Sequence, residues 1–319
     1  MKHWSWASAS CIGTSHSQSG QPLQDAHTCR MIYPAGVPGA SASSLHPAST
    51  QPTGADDDGN TAPWLLAIAC DGAGSASHGR QGALITCRTL AQAIRGHLKH
   101  ASAAESVNIL PSTETLQNWT NEARRRISQA ATTRGLCARD FACTLVCAIS
   151  NGQQTLAAHI GDGGIVARAA DNDQWLTLSW PDHGEYASTT RFVTEEPAAP
   201  LRIQTLQQPI DTLALFSDGI ERLVLDMATQ TPFARFFSAM TAPLLAHAAS
   251  AHTGRPGTGS TSTEHAGHEE TPVDENPPHT GKAHTLSAHL KTYLDSEAVT
   301  ARTDDDKTLV IAVLQPARS

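Results

Sequence analysis

Three aspartates, each followed by glycine and each closing an apolar run, carry the chemistry open to this chain. The runs are Leu65 to Gly72, Leu156 to Gly163 and Leu213 to Gly219. A single Asp-Gly pair reads as a hairpin turn, because both residues tolerate positive φ. Here the pair has company. Asp304-Asp305-Asp306 directly precedes the apolar run Thr308 to Leu314, and Asp25 follows the glycine-containing loop Gly13 to Gln24. Carboxylates held at the ends of neighbouring strands repel one another unless cations lie between them. The pattern therefore points to a multinuclear site for hard, oxygen-seeking metals.

The elements that would position these groups alternate between strand and helix signals. Trp4 to Ile12 and Asp25 to Tyr33 read as a first strand pair, and Trp64 to Cys70 as a buried strand. Apolar residues at helical spacing predict a helix over Gly79 to His100 and a more polar one over Thr113 to Ala131. Phe141 to Ile149, Thr155 to Ile160 and Ile165 to Ala169 read as a meander, turning at Asn151-Gly152 and at Asp162-Gly163-Gly164. An irregular stretch from Trp180 to Pro200 leads to strands Leu201 to Leu206 and Asp211 to Ser217. Helices follow over Ile220 to Met227, Phe233 to Ala248 and His284 to Ala298, before the closing strand Thr308 to Leu314. Strands grouped with strands imply mainly antiparallel sheets covered by helices, an α+β fold. A single domain over 1–319 is expected, interrupted by two low-complexity insertions at 34–63 and 250–282. Neither insertion holds enough large apolar side chains to offset the entropy of ordering it. The four histidines of the second (His252, His265, His268, His279) lack regular ligand spacing.

A net charge of −8 argues against nucleic acid and anionic membrane as partners, since both need clustered Lys and Arg. Arg124-Arg125-Arg126, with Glu122 beside it, reads as a solvated helix face. The N-terminus has no apolar core of signal-peptide length, and no run approaches a membrane span, so a cytoplasmic protein is expected. Most of the seven cysteines sit in apolar segments and read as reduced core thiols.

The ordered series Gln24-Asp25, Asp71-Gly72-Ala73-Gly74, Phe141-Ala142-Cys143-Thr144, Gly161-Asp162-Gly163, Ser217-Asp218-Gly219 and Asp305-Asp306-Lys307-Thr308 resembles the metal-dependent serine/threonine phosphatases of the PP2C type, in their bacterial branch. The resemblance implies a four-layer αββα sandwich, two packed antiparallel sheets flanked by helices. By motif it implies Asp71 as the carboxylate bridging two Mn²⁺ or Mg²⁺ ions, with the Gly72 carbonyl completing one site. Asp218 and Asp305 would hold the other ion, Asp25 would act through water, and Asp162 would help hold a third, weaker ion. In such a site a water bridging two divalent ions becomes a hydroxide nucleophile near neutral pH, with no covalent intermediate. The implied partner is a phosphoprotein, the product of a Ser/Thr kinase.

Two departures from the family pattern stand out. The phosphate-gripping Arg expected five residues before Asp25 is Gly20, and His16 is the candidate replacement. The general-acid His that animal relatives carry after the first Asp-Gly is Ala73, and His78 nearby reads as a helix-entry residue. Two rival readings follow: a phosphatase-like binding module that has lost turnover, and a metallohydrolase of small phosphate esters.

Overall fold

A computed structural model describes residues 2–34, 63–100, 109–182, 190–250 and 281–315. The two expected insertions fall almost wholly outside these residues, as do the four histidines of the second. Gly281 and Lys282, at the end of that stretch, are described: they lie beside the first strand, where the Trp6 N–H donates to the Gly281 carbonyl at 2.9 Å.

Two five-stranded antiparallel sheets pack face to face. The first has the order β1 (His3–Cys11), β12 (Lys307–Gln315), β9 (Ile210–Phe216), β6 (Gly164–Ala169), β7 (Trp175–Ser179). The second runs β2 (Ala26–Ile32), β3 (Trp64–Cys70), β4 (Leu145–Ser150), β5 (Thr155–Ile160), β8 (Arg202–Leu206). Strand alternation sorts the core into layers. In β3, Leu65, Ala67 and Ala69 face the other sheet and share a core layer with its Trp4 and Leu215. Leu66, Ile68 and Cys70 face outward beneath α2 (Gly79–His100) and α3 (Thr113–Thr133). The first sheet is covered by α5 (Ala234–Ser250) and α6 (His284–Leu294), through Phe237, Leu244, Leu290 and Leu294. With both faces buried, β3 reads as an unbroken apolar run rather than an alternating one.

The four-layer αββα sandwich is as expected, but several pairings are not. β1 pairs with β12 and β2 with β3, so the first two strands lie in different sheets and form no pair. The meander also divides. β4 and β5 form a hairpin through Asn151-Gly152, whereas β6 crosses to the other sheet and pairs with β9. The crossing passes through Gly161 and Gly163, both at positive φ, so Asp162-Gly163 bridges two sheets instead of closing a hairpin. The loop Gly13 to Gln24 contains a short helix, α1 (Thr14–Ser19). β7 was not foreseen. The helix expected over Ile220 to Met227 is only α4 (Glu221–Val224), giving way to a small hairpin of β10 (Leu225–Asp226) with β11 (Thr231–Pro232). The expected helix His284 to Ala298 breaks at Asp295-Ser296 into α6 and α7 (Glu297–Thr300).

Among the described residues no helix is long and apolar enough to cross a membrane.

Candidate metal centre

Strand register brings the acidic motifs to one end of the sandwich. Ala26 lies opposite Cys70, Leu145 opposite Ile160, and Gly164 and Leu309 both opposite Phe216. Asp25, Asp71, Asp162, Asp218 and Asp305 therefore leave or enter their strands at a common rim. The glycine after Asp218 has a role beyond turning the chain: a Cβ at Gly219 would lie 1.9 Å from the Asp306 carbonyl oxygen, so only glycine lets this segment tuck under the closing strand.

Asp71, Asp162 and Asp218 form the tight group, each offering a carboxylate oxygen within 4.8 Å of the other two. Burial pushes the Asp71 and Asp218 carboxyls well above the usual carboxylate range, and neighbouring carboxylates add to it, Asp25 foremost for Asp71 and Asp162 for Asp218. The carboxyl of Asp71 interacts with those of both Asp25 and Asp218. Asp25 is buried too; its Oδ2 accepts from Ser217 Oγ at 2.8 Å and Thr308 Oγ1 at 2.6 Å, and burial raises its pKa to about 6. Among the described residues Oδ1 of Asp25 and Oδ1 of Asp218 are buried and accept no hydrogen bond. Orphaned oxygens among mutually repelling acids are what a divalent cation would satisfy, and the oxygen-only donor set suits Mg²⁺ or Mn²⁺.

The segment carrying Asp71 is braced from the Phe141 to Thr144 motif. Thr144 Oγ1 accepts from the Asp71 N–H at 3.0 Å, the Thr144 N–H donates to the Asp71 carbonyl at 2.8 Å, and the Ala73 N–H donates to the Ala142 carbonyl at 2.9 Å. Gln24, with its amide nitrogen turned toward the site, donates to the Gly72 carbonyl at 2.7 Å and the Ala73 carbonyl at 2.8 Å. The remaining lone pair of the Gly72 carbonyl stays available.

Asp305 and Asp306 divide the labour at the closing strand. Asp305 lines the same cleft as Asp162 and Asp218, and its charge helps raise Asp218, though it stands outside the tight group. Asp306 is fully buried and turns away, accepting from the Gly13 N–H at 2.6 Å and the Gln24 N–H at 2.5 Å. It thus ties down both ends of the loop that carries α1. Gly20 is the left-handed C-cap of α1 at φ 71°, which explains why no arginine stands there: any side chain would strain that backbone. His16 lies buried in α1, with Nδ1 3.0 Å from Asp306 Oδ1. Its Nε2 lies toward Gly74, 3.6 Å from where a Cβ on that glycine would be.

Two histidines near the site serve the fold. His78 stacks 5.0 Å from the Phe141 ring. His159 is fully buried, and desolvation lowers its pKa to about 3, so the ring is neutral. Its Nε2 lies 2.9 Å from the Asp162 carbonyl, which can only accept, so Nε2 carries the proton and Nδ1 faces Ser179 Oγ at 2.7 Å. Through that bond His159 steadies the crossing that presents Asp162.

Sequence reading missed Glu221, Thr190, Arg222 and Arg302. Glu221 is buried, accepts from the Gly163 N–H at 2.6 Å, and is pushed up to about 8, chiefly by burial. Thr190 donates to Asp162 Oδ2. Arg222 and Arg302 share with Asp162, Asp218 and Asp305 a cleft of about 680 Å³, adding two cations to an otherwise acidic wall. Glu221 had a signal in its place two residues after an apolar run ending in Asp-Gly. The arginines had none, because their approach depends on how two distant loops meet.

Residues 56–253 match the family model described as Protein phosphatase 2C. The chain is 31% identical over 313 residues to serine/threonine-protein phosphatase 3 of Escherichia coli (strain K12), covering 97% of this chain and 98% of that one. Among solved structures, it is similar in fold to PppA of Pseudomonas aeruginosa, with a TM-score of 0.52 at 14% identity and 98% and 100% of the two chains covered. The catalytic domain of the serine threonine protein phosphatase PstP, in complex with two manganese ions, gives a TM-score of 0.50 at 13% identity, with 99% and 100% covered. A model match over more than half the chain, a relative aligned end to end, and the predicted αββα sandwich agree: the chain belongs to the protein phosphatase 2C family.

Proposed function

We propose that this protein is a metal-dependent phosphatase that hydrolyses phosphoserine and phosphothreonine in proteins. The convergence of Asp71, Asp162 and Asp218 within 4.8 Å, from three separate strand ends, carries the reading. The likeness to a named serine/threonine-protein phosphatase supports it, as does the fold likeness to a phosphatase structure holding two manganese ions. Asp71 is assigned as the bridging carboxylate by its place in the family motif, supported by its interaction with the carboxyls of both Asp25 and Asp218. The Gly72 carbonyl would complete one ion's site, Asp218 and Asp305 would hold the second, and Asp25 would act through water. Asp162 would help hold a third, weaker ion. When bound, Mn²⁺ or Mg²⁺ neutralises charge on the phosphoryl oxygens and acidifies water.

The chain's own groups do the rest. Asp306 and Gln24 fix the loop and the Gly72-Ala73 segment, so that Asp25 and Asp71 hold their spacing. His16, whose Nδ1 faces Asp306, is the candidate phosphate contact through Nε2, and Arg222 and Arg302 supply positive charge at the cleft wall. All seven cysteines are free thiols, which supports residence in a reducing compartment such as the cytoplasm. A Ser/Thr kinase would supply the substrate.

The test compares para-nitrophenyl phosphate with a phosphothreonine peptide, in chelator and in added Mn²⁺, Mg²⁺ or Zn²⁺. Turnover of both with Mn²⁺ or Mg²⁺, and little with Zn²⁺, is the expected result. Full activity in excess chelator would remove the metal reading. Hydrolysis of the small ester alone would favour the small-ester reading, and metal-dependent stabilisation without turnover would favour the binding module.

A further inference from the structure

The cleft at the acidic rim is not the only charged concavity. A groove of about 750 Å³ runs between α2 and β2, and its charge is of one sign: Arg30, Arg88, Arg95 and Lys99 line it, with no carboxylate among the lining residues. This segregation is pronounced for a chain of net charge −8. The 22 residues of α2 include no Asp or Glu, nor do the seven of β2. Favourable interaction with the helix dipole accounts for Lys99 in the last turn of α2, but not for Arg88 and Arg95 further in. Among the described residues none forms a hydrogen bond or ion pair with the side chains of Arg88, Arg95 or Lys99. Gly96 opens the floor between them: a Cβ built there would meet nothing within 4 Å.

The other wall is an open strand. β2 is the outer strand of its sheet and has a strand partner, β3, on one side only among the described residues. A row of backbone N–H and C=O groups on its free side can receive an added extended chain. The groove also starts at the catalytic end, at Ala26, next to Asp25. From Leu84 to Lys99 the helix wall spans roughly 22 Å, enough for about seven residues of extended peptide.

We propose that this groove is a docking site for an acidic, extended segment of the phosphoprotein substrate, remote in sequence from its phosphorylated residue. Four cations with no carboxylate partner among the described residues, an open strand edge and continuity with the acidic rim carry it, by charge complementarity. Nucleic acid fits less well, because the chain's overall negative charge repels a polyanion larger than the groove. The identity of the partner rests on the phosphatase reading; the site itself does not.

The test is therefore a binding measurement first. A fluorescein-labelled, unphosphorylated Glu/Ser peptide of twelve residues is titrated with the full chain by anisotropy, beside a Lys/Ser peptide and a single-stranded thymidine oligonucleotide. The expected result is saturable binding of the acidic peptide only, weakened by 0.5 M NaCl, about tenfold weaker in the Arg88→Glu, Arg95→Glu variant and about threefold weaker in Arg88→Gln, Arg95→Gln. Both variants alter exposed side chains, and unchanged circular dichroism and para-nitrophenyl phosphate turnover would show that they fold. With a phosphothreonine peptide extended by the acidic run, KM should fall about fivefold in the wild type and not in the variants. Binding without turnover would end the phosphatase reading and leave the site standing. Equal binding by variants and wild type, or tighter binding of the oligonucleotide, would overturn the proposal. So would binding seen only after Asp56→Asn, Asp57→Asn and Asp58→Asn, which would give the groove to this chain's own acidic run.

Discussion

Nδ1 of His16 lies 3.0 Å from Oδ1 of Asp306, so the histidine of the α1 loop has at its back the carboxylate that accepts from the Gly13 and Gln24 amides. Asp306 is thus a positioning residue and Asp305, next to it, faces the cleft. Asp306→Ala should leave two buried N–H groups without partners and lower stability by about 2–5 kcal/mol, read by urea unfolding. Asp305→Ala should cost little stability and much activity. The reverse ranking would exchange the two roles.

The same contact shapes the expectation for His16. With Nδ1 turned to Asp306, Nε2 is the ring nitrogen left to meet a phosphate. His16→Ala should raise KM more than it lowers kcat, as for a contact that serves ground and transition states alike. Unchanged kinetics would leave the phosphate to the metals and arginines.

The central carboxylates should rank by the number of acids they join. Asp71 interacts with the carboxyls of both Asp25 and Asp218, so Asp71→Asn and Asp218→Asn should each lower kcat by roughly a thousandfold or more, as expected when metal-held charge stabilisation worth several kcal/mol is lost. Asp162→Asn should cost less and chiefly raise the Mn²⁺ concentration needed for half activity. Equal loss at all three would contradict the ranking.

Glu221 gives the metal-free protein a pH signature. Burial raises its folded-state pKa to about 8, so the folded chain holds this proton more tightly than the unfolded one. The resulting stability is complete below the unfolded value of about 4.3 and is lost as pH rises through about 8. In chelator, Tm should fall across that window, and the fall should be shallower in Glu221→Gln. Parallel profiles would exclude Glu221 as a source.

Much of this molecule is legible in its sequence because the informative residues act locally. Apolar runs such as Leu65 to Cys70 mark strands buried on both faces, and the Asp-Gly pairs mark where strands end. What the sequence conceals is which sheet each strand joins. A hairpin at Asp162-Gly163 and a crossing there use the same residues, and the choice is made by β9, some fifty residues on, which gives β6 its partner. The short helix α1 was read as loop because its six residues carry no apolar stripe, and tertiary bonds to Asp306 hold it. The resemblance prefers Asp305 to Asp306 as the ligand but is silent on the bonds that Asp306 makes, because consecutive aspartates differ only in which way each one faces.

Sheet membership has a mechanical consequence. The acids of the rim come from both sheets: Asp25 and Asp71 flank β2 and β3, Asp218 and Asp305 flank β9 and β12, and Asp162 sits on the strap between. At the opposite rim the Ile210 N–H donates to the Gly152 carbonyl at 2.8 Å, joining the sheets there. The acidic rim is stitched as well, since Ser217 and Thr308, at the end of the first sheet, both donate to Asp25 beside the second. Divalent ions held between these acids would tie together the same two sheets, so their supply should set the stiffness of the sandwich as well as whether the chemistry can run.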